Sequence, residues 1–221
     1  MAIKFYLFGD SICFGQLVSH HLTWSSSLSR RLNELAKGYS SVLIQNASIN
    51  GNTTRLALER MSYDVTSHDP DLLLVQFGMN DCNYWQTDFV VPRVSERAFG
   101  ANLIEIAECA FLANVKQIFL CTNHPSLKGT FPHFPTQSHA ASNKRYNEII
   151  RSTAKSLQAE KRPVVLIDNE FHWYQLIESD PTIILDTLLL PDGIHLSEAG
   201  HRVYDEYAGG KISAVFKSLF L

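Results

Sequence analysis

The chain has 221 residues and a formal charge of −3, from 19 Lys+Arg against 22 Asp+Glu, with 45 % hydrophobic and 19 % charged residues. That balance excludes a disordered chain, since there is ample apolar surface to offset the entropy of ordering, and the length suits one α/β domain, expected over residues 1–221. It also gives no global pull toward nucleic acid or anionic membrane, and no apolar run is long enough to span a bilayer.

The first strand candidate is Ile3–Phe8. This opening stretch is too short for a signal-peptide core and carries Lys4, with no A-x-A site after it, so a soluble cytoplasmic protein is the expectation. Further strand candidates follow at Val42–Gln45, Leu72–Phe77, Gln117–Cys121 and Val164–Asp168. They are apolar almost continuously rather than in alternation, the pattern of parallel strands covered on both faces. Between them lie helical patterns. Trp24, Leu28, Leu32 and Leu35 recur at helical spacing, with Gly38 as the stop; Phe99, Leu103, Ile106 and Ala110 do the same, and Ile149, Ile150 and Leu157 less cleanly. Phe171–Leu190 reads as apolar and helical, with Asp180 as an N-cap before Pro181. A last helix is expected over Ser197–Phe220, with Val203, Tyr207, Val215, Phe216 and Leu219 inward and the pair Gly209-Gly210 marking a kink or an end. Five βα units joined by right-handed crossovers give a three-layer α/β/α sandwich, flavodoxin-like, on a five-stranded parallel sheet.

In such sheets chemistry collects beyond the carboxyl ends of the strands. After the first strand comes Gly9-Asp10-Ser11-Ile12-Cys13-Phe14-Gly15, a serine on a strand-to-helix turn, which is either an exposed nucleophile or ordinary turn chemistry. After the second comes Asn50-Gly51-Asn52-Thr53, where a glycine lets its N–H approach a substrate or the loop merely caps the helix near Thr54. Gly78-Met79-Asn80-Asp81 follows the third and offers a side-chain amide to a developing oxyanion, or a polar turn. Near the end, Asp192 and His195 are spaced so that the carboxylate can hold one ring nitrogen and leave the other to accept a serine proton; a solvated Asp-Gly turn is the bland alternative. Together these supply nucleophile, base, orienting carboxylate and oxyanion donors, the roles acyl transfer requires.

Four blocks in this order resemble the SGNH hydrolases, the GDSL esterase/lipase family. The Ser block corresponds to Gly9-Asp10-Ser11 with Gly15, the Gly block to Asn50-Gly51 with Thr53-Thr54, the Asn block to Gly78-Met79-Asn80-Asp81, and the last block to Asp192 through His195. The resemblance implies a flavodoxin-like fold and hydrolysis of ester or thioester bonds. It makes Ser11 the nucleophile, His195 the base and Asp192 its orienting carboxylate, with an oxyanion hole of the Ser11 and Gly51 N–H groups and the Asn80 side chain. Two positions depart from the family pattern, Cys13 beneath the serine and Asn52 where many relatives carry Asp.

A small-molecule ester is therefore the expected partner, with a short acyl group because no exposed apolar stripe suggests a lipid surface, and the family resemblance implies O-acetyl on a polar or carbohydrate alcohol. Thioesterase, lysophospholipase or acyltransferase chemistry at the same site, and a non-catalytic flavodoxin-like binding domain, stay open as alternatives. No cofactor is expected, since neither Gly-rich nucleotide motif occurs, and no metal, since the nine histidines include no H-E-x-x-H. Basic residues are not interleaved with aromatics, which argues against nucleic acid. The four cysteines, Cys13, Cys82, Cys109 and Cys121, have no metal or redox spacing and are expected reduced. Thr122–Gln137, carrying Phe131, His133 and Phe134, is expected to be a loop that either borders the substrate entrance or lies on the surface with its aromatics tucked onto the core.

Overall fold

The computed structural model describes residues 2–88, 91–131 and 134–221; His133 lies outside them. Five strands, β1 (Ile3–Gly9), β2 (Val42–Asn46), β3 (Leu72–Gln76), β4 (Gln117–Cys121) and β7 (Val164–Ile167), form a parallel sheet in the order β2-β1-β3-β4-β7. The chain leaves β1 for one side of the sheet and returns to the other for β3, which places the switch point at the carboxyl ends of β1 and β3. There Gly9 pairs with Gln76.

Both faces of the sheet are buried, which explains the continuous apolar runs. Phe5, Leu7, Leu72, Leu74, Phe119 and Ile167 point to one layer, against α2 (Trp24–Leu35) and the carboxyl-terminal helices. Tyr6, Phe8, Leu73, Val75, Ile118 and Leu120 point to the other, against α3 (Thr54–Asp64), α4 (Glu96–Leu112) and α5 (His139–Ala159). Each such large apolar side chain, fully buried, contributes about 1.5–3 kcal/mol. The edge strand β2 alternates instead, with Leu43 and Gln45 exposed. Thr23, Thr53, Ser95 and Ser138 open α2, α3, α4 and α5 by accepting backbone N–H groups of the first turn.

Several expectations need correction. Asp180 does not open a helix. It ends α6 (Asn169–Ser179), and its carboxylate accepts from the Thr182 N–H and hydroxyl in a local turn. Asp168 supplies the N-cap instead, by accepting from the Phe171 N–H, and only the short α7 (Leu185–Leu188) follows. The last helix is interrupted at Gly209-Gly210, the pair expected to mark a kink or an end. α8 (Glu198–Tyr204) and α9 (Gly210–Phe220) are joined by a π-helical turn over Asp205–Gly209. A Cβ on Gly209 would lie 2.6 Å from Asp205 Oδ1, and Asp205 is itself held by Arg31 at 2.5 Å. Tyr204, Ala208, Ile212 and Phe216 are the most buried apolar residues of this segment, Val203, Tyr207 and Val215 pack partly buried against the same core as expected, and Leu219 is exposed. The first helix pattern stops at Leu35, with the chain turning through Ala36 to Gly38.

Residues Thr122–Gln137 are not a plain loop. They include a short antiparallel hairpin, β5 (Thr130–Phe131) with β6 (Phe134–Ser138). Phe131 is buried, its ring 4.9 Å from that of Tyr84, so this aromatic anchors the hairpin rather than facing solvent. All four cysteines are free thiols. Among the described residues no helix is long and apolar enough to cross a membrane.

Candidate active site

Ser11 opens the single helical turn α1 (Ser11–Phe14) directly after β1. Asp10 caps that turn by accepting the Ile12 N–H at 3.0 Å. Trp24, fully buried and stacked on Tyr204, steadies the turn from below by donating its indole N–H to the Ile12 carbonyl at 3.2 Å. Cys13 is buried under the turn, and burial pushes its thiol far above the ordinary range, so it packs as a small hydrophobe.

The distant segment Asp192–His195 closes onto this turn. The His195 ring lies with Nε2 2.9 Å from Ser11 Oγ and Nδ1 2.6 Å from Asp192 Oδ2. Asp192 is fixed in place because its other oxygen accepts both the Ile194 and the His195 N–H, each at 2.9 Å. Partial burial would raise this carboxyl, but those two N–H groups and the His195 ring outweigh it and hold it below the usual carboxylate range. The segment is tied to its surroundings by Leu190 N–H on the His195 carbonyl at 2.7 Å and Leu127 N–H on the Gly193 carbonyl at 2.9 Å.

Gly51 and Asn80 follow β2 and β3, the strands on either side of β1, so with Ser11 they share one edge of the sheet. Gly51 has φ +75°, and nothing within 4 Å would meet a Cβ there, so this is an open, left-handed backbone position. The two loops are fastened together by Asp81, whose Oδ1 accepts the Thr54 N–H at 2.8 Å and the Thr54 hydroxyl at 2.5 Å. Arg93 adds a second tie, donating to the Gly51 carbonyl at 3.1 Å while its guanidinium lies 3.9 Å above the Trp85 ring. The Asn80 amide lies 3.5 Å from Asp10 Oδ2. Asn52 turns away to accept from Arg60 Nε at 2.9 Å, which gives that position a structural task.

The structure joins Ser11, His195 and Asp192 by hydrogen bonds, sets the Asn80 amide against Asp10 beside Ser11, and leaves Gly51 on the same edge of the sheet without a contact to them. Sequence reasoning passed over Asp10, Asp81, Arg93 and Trp24, which hold them. Asp10 and Asp81 stood inside the motifs, beside the residues with chemistry; Arg93 and Trp24 carried no local signal. Burial pushes the Asp10 carboxyl up to about 7 and that of Asp81 to about 6, against the hydrogen bonds each accepts. Among the described residues no cluster of three or more His, Cys, Asp or Glu could hold a metal ion.

The family comparison places this parallel α/β fold among ester-hydrolysing enzymes. The chain belongs to the GDSL-like Lipase/Acylhydrolase family, whose model matches residues 7–203. It is 31 % identical over 189 residues to the uncharacterized lipoprotein YqeF of Bacillus subtilis (strain 168), covering 76 % of this chain and 73 % of that protein. Among solved structures, a lipase/acylhydrolase of Enterococcus faecalis superposes with a TM-score of 0.70 at 25 % identity over 97 % of both chains. Axe2, an acetylxylan esterase of Geobacillus stearothermophilus, gives 0.72 at 20 % identity over 96 % of both chains.

Proposed function

We propose that this enzyme hydrolyses short-chain esters, O-acetyl groups on a polar or carbohydrate alcohol, through an acyl-enzyme on Ser11. The observation that carries the reading is the unbroken line Ser11 Oγ, His195 Nε2, His195 Nδ1, Asp192 Oδ2, with contacts of 2.9 and 2.6 Å. In it His195 Nε2 takes the hydroxyl proton as Oγ attacks the ester carbonyl, and the imidazolium that forms is stabilised by Asp192. The Ser11 and Gly51 N–H groups and the Asn80 amide receive the negative oxygen. His195 then returns the proton to the departing alcohol. Water repeats the cycle on the acyl-enzyme, releasing the acid and restoring Ser11.

A short acyl group is supported by the likeness to the acetylxylan esterase Axe2. A fluorophosphonate that labels the wild-type protein, but not Ser11→Ala, tests the nucleophile. A panel of esters varying acyl length and alcohol tests the substrate: highest kcat/KM on acetyl esters is expected. A preference for long acyl chains or for thioesters would overturn the substrate assignment while leaving Ser11 in place, and a folded protein inert to the phosphonate would remove the mechanism.

A further inference from the structure

His139, the first residue of α5, buries its ring completely between the two loops that carry the site. Its Nε2 lies 3.1 Å from the Met79 carbonyl, and its Nδ1 lies 3.2 Å from Ser126 Oγ. Ser126 Oγ in turn lies 3.1 Å from the Gly193 carbonyl and accepts the Lys128 N–H at 3.1 Å. A buried path of three polar contacts, with the Ser126 proton shared between two of them, therefore runs from Met79 to Gly193. Both ends matter. The Met79 carbonyl belongs to the peptide that enters Asn80, and the Gly193 carbonyl belongs to a peptide between Asp192 and His195.

We propose that His139 and Ser126 are positioning residues that hold the Asn80 loop and the Asp192–His195 loop in one register, so that the oxyanion donor and the base face the same reacting centre. The inference rests on the roles given above to Asn80, Asp192 and His195.

Proton accounting supports a directional role. Burial keeps the ring neutral at working pH, its pKa lowered to about 4, so it carries a single N–H. The Met79 carbonyl can only accept, which puts that proton on Nε2 and leaves Nδ1 to accept from Ser126. The Ser126 hydroxyl has one proton for two acceptors, Nδ1 and the Gly193 carbonyl, and the second is also served by Leu127 N–H at 2.9 Å. Met79 likewise has a second donor, the Cys82 thiol at 3.5 Å. The Met79 peptide is thus held by His139 Nε2–H and the Cys82 thiol, and the Gly193 peptide by Leu127 N–H with the Ser126 proton shared between that carbonyl and Nδ1, which is the link that joins the loops. Packing alone does not call for this ring. Its neighbours include the Phe131 ring, 6.1 Å away, and an apolar side chain there would avoid the cost of burying an imidazole.

The test uses steady-state kinetics on a soluble acetyl ester with thermal melts of the same preparations. His139→Leu is expected to lower kcat by about tenfold or more with KM changed less than about threefold, because small misplacements of catalytic groups cost turnover rather than binding. His139→Gln, whose amide can donate to Met79 and accept from Ser126, is expected to restore kcat to within about threefold. In an Asn80→Ala background, His139→Leu should cost less than about threefold more, since there is no donor left to misplace. Turnover of His139→Leu within about twofold of wild type overturns the proposal, as does its full effect persisting without Asn80, or failure of Gln to rescue a folded protein. If His139→Leu does not fold, Ser126→Ala carries the same cycle against Asp192→Ala, and additive losses overturn it. Wild-type turnover by Asn80→Ala would instead defeat the oxyanion reading, and this inference with it; a large Asn80→Ala loss beside an additive His139→Leu loss defeats this inference alone.

Discussion

Replacing Gly51 by alanine separates a catalytic glycine from a structural one. At φ +75° an L-residue pays for left-handed backbone about 1–2 kcal/mol. A stiffer unfolded chain returns about 0.4–1 kcal/mol. With nothing within 4 Å to collide with the new methyl group, the net loss is about 1 kcal/mol, or roughly 2–4 °C in Tm for a chain of this size. The same methyl occupies the open space that a substrate carbonyl must enter to reach the Gly51 N–H. Loss of one oxyanion donor is worth about 10²–10³-fold, so kcat/KM should fall by about 10²-fold while the fold survives. Gly78→Ala is the contrast. Its Cβ would lie 2.4 Å from Asn123 Nδ2, and Asn123 Oδ1 is already committed to Gln76 Nε2 at 2.8 Å, so that variant should lose far more stability. Calorimetric melts and initial rates on p-nitrophenyl acetate decide the matter. Gly51→Ala with kcat/KM within about threefold of wild type would remove Gly51 from the oxyanion site, and a Tm loss as large as that of Gly78→Ala would refute the argument from open space.

Ser11→Ala should abolish turnover, by about 10⁴-fold or more in kcat, with an unchanged melt, because among the described residues its hydroxyl bonds to His195 Nε2 alone; an active, folded variant would exclude it as nucleophile. Asn80→Ala should lower kcat about 10²–10³-fold with little change in KM, and Asn80→Asp should be at least as damaging because a carboxylate repels the oxyanion; a lowered melt with kcat within about threefold would refute this. Asp192→Asn should lose less than His195→Ala, which single-turnover kinetics can compare. Stability should depend on pH through buried groups of opposite sense. His124, His139 and His201, each lowered to about 4 chiefly by burial, bind fewer protons folded than unfolded, so they make stability rise from about pH 4 to 6.5. Asp10 and Asp81, raised to about 7 and about 6 by burial, bind more protons folded, and their contribution is lost as pH rises through those values. Asp10→Asn should therefore steepen the rise in urea-derived stability between pH 5 and 7, and an unchanged slope would show that Asp10 is ionised throughout.

The sheet was legible because its strands are buried on both faces and so carry unbroken apolar runs, and because Trp24, Leu28 and Leu32, or Phe99, Leu103 and Ile106, are spaced for one helix face. The candidate site was legible because Ser11, Gly51, Asn80 and the Asp192–His195 pair each sit directly beyond an element end, where chemistry on a parallel sheet has to collect. Asp180 misled because a carboxylate before proline serves a local turn as readily as a helix start; its own hydrogen bonds to Thr182 satisfy it without any helix. In the last helix the interruption at Gly209-Gly210 was legible, and of the expected inward residues only Leu219 faces solvent.

What the sequence determined by itself was local: strand and helix propensity, caps, and the identity of the groups able to act on an ester. The tertiary structure alone decided how far apart those groups stand. A hydrogen bond of 2.9 Å between residues 184 positions apart depends on the register of β1 against β3 and on the clamps at Leu190 and Leu127. The same is true of the supports that carry no motif. Trp24 under Ile12, Arg93 on Gly51, Asp81 on Thr54 and His139 between Met79 and Ser126 are pairings of ordinary side chains. Their meaning comes from the partner that folding brings to them, and a partner far along the chain leaves no mark on the residues beside it.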